Sequence, residues 1–131
     1  LEQACTQINA THETGAEQLK ALIAVYRLAL NHGKTLCLCV SFTASRESLP
    51  VEVTLKIGAF RKMMVTWIQA VFELGRLDGT IENARSAPQE ALATLALLEG
   101  AHLAARAEES LAVFDRTTEL LAARCQSFSG S

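Results

Sequence analysis

Rings and turn-makers are scarce in these 131 residues: aromatics make up 5%, and there are seven glycines and two prolines. Half the residues are hydrophobic, and much of that half is Ala and Leu, a balance that suits packed helices better than a sandwich or a barrel. Long apolar runs are also missing. The longest, 21–26 and 36–40, fall far below the roughly 18 residues that suggest a membrane span, so no membrane partner is expected. Basic residues are not in excess either. A formal net charge of -2, with Lys and Arg scattered along the chain, leaves no electrostatic footprint for nucleic acid.

Cysteine is present but not in a pattern that would staple a fold. Cys5, Cys37, Cys39 and Cys125 form no paired ladder and no signal-like start precedes them, which points to a reduced, cytoplasmic setting. The first residue is Leu1 rather than Met, and the chain opens inside a plausible helix, so a preceding segment is expected to have been removed. Catalytic signatures are missing too. His12, His32 and His102 are far apart, no Glu-x-x-His pair occurs, and there is no Gly-rich phosphate loop or nucleophile elbow. Cys37-x-Cys39 lacks the second pair of a structural zinc site. Neither an enzyme, nor a metal, nor a cofactor is expected.

The longest coherent pattern lies in 49–81. Val53, Ile57, Phe60, Met64, Trp67, Val71 and Leu74 step by threes and fours, placing one stripe on a helix of roughly 25 residues, with Met63, Ile68 and Phe72 widening it. Ser48 and Pro50 suit its start, and Asp78-Gly79 its stop. A second helix begins at Ala16, carries Leu19, Leu22, Ile23, Tyr26 and Leu30 on one side, and ends at Asn31-His32-Gly33. Residues 35–45 satisfy both a strand and a helix pattern. A solitary strand would leave its ladder unpaired, which favours a short buried helix.

Ser86 and Pro88 open a further helix over 89–107, in which Gly100 costs up to about 1 kcal/mol relative to Ala and calls for close approach of another helix. A last helix over 108–124 places Leu111, Phe114, Thr118, Leu121 and Cys125 at threes and fours. One all-α domain of about six helices is expected over 1–126, with 127–131 a disordered tail.

Several of these segments resemble a known family. Lys34-Thr35-Leu36-Cys37-Leu38-Cys39, Ser48-Leu49-Pro50, Phe60, Trp67 and 75–81 are similar to the middle of the C-terminal domain of TetR/AcrR-type transcriptional repressors. Residues 98–106 resemble the first of that family's two dimerisation helices. The resemblance implies a homodimerising, effector-binding domain whose last two helices form a four-helix bundle with those of a second copy. Residues 1–10 would end the helix leading to an absent N-terminal helix-turn-helix domain, the only route to DNA. A small, largely apolar effector would relieve DNA binding.

On that resemblance, Tyr26, Cys39, Phe42, Phe60, Met63, Met64, Trp67 and His102 are the candidate effector contacts, although core packing explains the aromatics and methionines equally well. Leu92, Ala96, Gly100, Leu103, Leu111, Phe114, Thr118 and Leu121 are the candidate dimer contacts. Glu99 and His102 sit one turn apart, facing the pocket, the partner or, as an ordinary i, i+3 pair, solvent. Cys37 and Cys39 fit either buried packing or a thiol sensor. The rival reading is a helical protein-interaction module without a small-molecule ligand.

Overall fold

Two close glycines and a set of borrowed helix caps hold the centre of the fold. The computed structural model describes residues 2–32, 50–82 and 86–125. Five α-helices run through them: α1 (Glu2–Thr11), α2 (Gly15–His32), α3 (Val51–Asp78), α4 (Ala87–Ala107) and α5 (Leu111–Ala122). No strand occurs among the described residues, only an isolated antiparallel bridge between Ile81 and Cys125. The all-helical expectation therefore holds. The short helix expected over 35–45 and the Ser48 cap lie outside the described residues.

The first turn of α2 shows how distant sequence is joined. A helix start leaves N–H groups without internal partners. Here the Thr14 hydroxyl accepts from Glu17 N–H at 3.1 Å, Asp78 Oδ2 accepts from Gly15 N–H at 3.0 Å, and Thr80 Oγ1 accepts from Ala16 N–H at 3.0 Å. Two of the three caps thus come from the turn that ends α3. Asp78 Oδ1 also accepts from the Thr80 hydroxyl at 2.5 Å and from Thr80 N–H at 3.0 Å, fixing that turn. Gly79 closes α3 with φ 75, the left-handed geometry that glycine adopts without penalty, as Asp78-Gly79 foretold.

Capping at this range requires the two backbones to nearly touch. A Cβ on Gly15 would overlap the Gly75 backbone and lie 2.8 Å from the Val71 carbonyl oxygen. Glycine at both positions is therefore a packing requirement.

Helix α3 has 28 residues, about 42 Å of rod at 1.5 Å per residue. Its buried line is Met64, Ile68, Val71, Phe72 and Gly75. The expected stripe needs correcting: Val53, Ile57, Phe60, Trp67 and Leu74 are only half-buried, because the neighbouring helices cover the C-terminal half of α3 and meet it one position further round. Towards the N-terminal end, Val51 is 74% and Leu55 68% exposed.

Helix α4 lies along α3, and α5 folds back onto α4 and α2. Leu19, Leu22 and Tyr26 from α2, Leu95, Leu98 and Ala101 from α4, and Phe114 and Leu121 from α5 complete the core with α3. Ser86 stands at the N-cap of α4 but makes no side-chain cap bond. The last helix begins at Leu111 rather than 108, because Glu109 adopts φ 49 and breaks the helical path. Arg124 then latches the end of α5. Its guanidinium bonds Glu90 twice and the Glu82 carbonyl at 3.0 Å, and lies 5.5 Å from the centre of the Phe72 ring.

Candidate functional site

Helix α1 meets α3 mainly through side chains. Trp67 Nε1 donates to Asn9 Oδ1 at 3.2 Å, and Cys5 Sγ lies 3.8 Å from Met64 Sδ in a buried contact. Between these links the surface opens into a groove of about 670 Å³, lined by Cys5, Thr6, Asn9, Ala59, Lys62, Met63, Thr66, Trp67 and Ala70. Its size lies within the roughly 300–1,000 Å³ of small-molecule sites, and its lining combines apolar bodies with a few polar tips. A smaller recess of about 260 Å³, lined by Leu30, Ala105, Arg106, Glu109, Ser110 and Leu111, lies where α2 passes the turn between α4 and α5.

The candidate effector contacts separate into three groups. Met63 and Trp67 line the groove. Phe60 is half-buried against the core and does not line it. Tyr26, Met64 and His102 are buried in the core, at 2%, 0% and 0% exposure, and do not line it. Cys39 and Phe42, with Cys37, lie outside the described residues. Cys5, Thr6 and Asn9 were missed because 1–10 reads as a linker tail, and nothing in their spacing shows that α1 returns to α3.

His102 sits between two rings. Its imidazole makes edge-on contacts with Tyr26 at 6.1 Å and Phe114 at 6.4 Å between centroids. Burial holds its pKa below the ordinary 6.5, a hydrogen bond to the Tyr26 backbone opposes that shift, and the Arg106 charge adds to it. The i, i+3 pairing with Glu99 does not form, since Glu99 pairs with Arg61 of α3 instead.

A pH dependence follows. The folded state favours neutral His102, so the unfolded chain binds the extra proton. Stability is then full above about pH 6.5 and falls as the pH drops from there towards the lowered folded value. Urea midpoints at pH 7.5 and 5.0 are expected to differ in that sense, with the His102 share of the difference removed in His102→Gln.

The candidate dimer contacts also divide. Leu92 (58% exposed), Leu103 (45%), Ala96 and Gly100 all face outward on α4, and a Cβ at Gly100 would meet nothing within 4 Å. Among the described residues, Gly100 thus has no close neighbour of the kind it called for. Phe114, Thr118 and Leu121, at 0%, 4% and 5% exposure, face their own core. Leu111 is half-buried at the rim of the smaller recess.

Among the described residues, no three His, Cys, Asp or Glu side chains gather as metal ligands would, and no helix is long and apolar enough to cross a membrane. No family model and no curated protein matches the sequence. Solved structures do match. A TetR-family transcriptional regulator from Agrobacterium tumefaciens is similar at TM-score 0.89 and 25% identity, over 96% of this chain and 67% of that one. The reduced form of NemR from E. coli is similar at TM-score 0.80 and 17% identity, over 96% of this chain and 66% of its own.

A TetR regulator from Chloroflexus aurantiacus J-10-FL is similar at TM-score 0.77 and 20% identity, over 93% of this chain and 63% of its own. The chain thus spans about two thirds of the length of these regulators. Its helices have the fold of TetR-family transcriptional regulators.

Proposed function

We propose that this chain is the effector-sensing, homodimerising regulatory domain of a TetR-type transcriptional regulator. A small, largely apolar effector occupies the groove between α1 and α3 and relieves DNA binding by a helix-turn-helix domain joined to α1. The observation that carries this reading is the Trp67–Asn9 hydrogen bond across the groove, because it makes the position of α1 depend on what lies beside Trp67. An effector changes DNA affinity only by binding the two positions of α1 unequally.

The groove is tested with N-phenyl-1-naphthylamine, an uncharged apolar fluorophore. Trp67 is the sole tryptophan, so energy transfer to the probe reports occupancy near the groove. Saturable transfer, with altered hydrogen exchange in α1, is expected. No transfer, or transfer with unchanged exchange in α1, overturns effector sensing at this site.

The dimer is assigned to the outward face of α4, where two exposed leucines flank Ala96 and Gly100 and allow a second helix to approach closely. Joint Leu92→Glu and Leu103→Glu is expected to weaken self-association by about 2 kcal/mol or more. Helicity and melting of each protomer should change little, since both sites are exposed. Sedimentation velocity at micromolar concentration checks this, and a monomeric native chain would favour the interaction-module reading instead.

A further inference from the structure

We infer that the groove between α1 and α3 selects an amphiphilic anion: a small ring-bearing apolar body carrying one acidic group at its end. The inference rests on the effector-site reading above and names the class of ligand.

Charge supports it first. Of the described side chains that line the groove, Lys62 alone is charged, and no carboxylate stands among them. Lys62 is exposed on α3 and makes no ion pair among the described residues. Its ammonium is therefore available to an incoming anion, whereas a cationic ligand would meet repulsion without a counter-charge.

Shape and lining supply the rest. Lys62 and Met63 are adjacent on α3, and Thr66, Trp67 and Ala70 follow at helical spacing, so the cationic end leads into an apolar strip about two turns long. An indole face and a thioether favour an aromatic ring over a bare alkyl chain. Across the groove, Thr6 and Asn9 of α1 supply polar groups. The Trp67 N–H now held by Asn9 lies within that strip. An acceptor on the ligand body that took this N–H would loosen α1 from α3, linking recognition to the switch.

Two fluorophores that share one skeleton test the inference. 1-Anilinonaphthalene-8-sulfonate carries an anionic group that N-phenyl-1-naphthylamine lacks, and energy transfer from Trp67 reports both. Lys62→Glu is expected to weaken the sulfonate about tenfold and leave the uncharged probe within about twofold, as befits one charge reversed at a partly solvated site. Lys62→Gln should fall between.

Ala70→Phe, at an exposed position, fills the strip and should weaken both probes. Equal effects of Lys62→Glu on the two probes, or none on either, overturn the anion preference and leave the apolar groove standing. Absence of transfer to both probes in the native chain overturns the groove as a site and this inference with it.

Discussion

Gly15→Ala is expected to destabilise the protein by about 2–3 kcal/mol, the range of a forced overlap in a packed interior, and to lower its melting temperature by roughly 10 °C. Alanine would ordinarily favour a helix over glycine by up to about 1 kcal/mol. At Gly15 that gain is outweighed, because the new Cβ meets the Gly75 backbone and the Val71 carbonyl, neither of which can rotate away. Separating α2 from α3 to make room would also stretch the bonds from Gly15 and Ala16 to Asp78 and Thr80. Gly100→Ala is the internal contrast: its Cβ meets nothing among the described residues, so the isolated protomer should gain rather than lose stability. Thermal melts of the two variants side by side test the argument, and equal melting would refute the close crossing.

Phe114→Ala is expected to have the larger effect on folding, about 3–5 kcal/mol for removal of a fully buried ring. The ring is 0% exposed and lies edge-on to His102, which in turn contacts Tyr26. Its loss would leave a void where α2, α4 and α5 meet, next to an imidazole that burial keeps neutral. Denaturant unfolding of the protomer should register the whole loss. A variant that unfolds normally yet fails to self-associate would place Phe114 at the interface. Leu103→Ala, at an exposed site, should behave in the opposite way.

These two residues mark what could be read from sequence and what could not. Helical periodicity located α2, α3 and α4 closely, and Asp78-Gly79 ended α3 where it ends. Local chemistry determines those features. Which side of α3 is buried depends on its neighbours. Apolar residues occur around much of that helix, and its tightest contact is made by Gly75, which contributes no hydrophobic signal at all.

The same limit explains the last helix. Leu111, Phe114, Thr118 and Leu121 share a face by spacing, but spacing does not say whether the face meets its own chain or another. At the groove, Trp67 and Met63 were within reach of a sequence argument because they lie on or beside the long apolar stripe of α3, although spacing alone does not separate core from groove. Asn9 and Thr6 were not, since polar residues on a short amphipathic helix ordinarily face water. His102 was ambiguous for a related reason: Glu99 one turn away suited an exposed pair, and spacing does not show that Glu99 pairs with Arg61 across to α3 instead.

The borrowed caps of α2 bear on how the chain acquires its shape. Gly15 and Ala16 take acceptors 63 and 64 positions downstream, so this helix start cannot be completed until the span to Asp78 and Thr80 has been closed. Closing so long a loop is an entropic step that local helix formation does not require. The first turn of α2 is therefore among the late events of folding, while its middle, through Leu19, Leu22 and Tyr26, is free to form as soon as any apolar neighbour arrives.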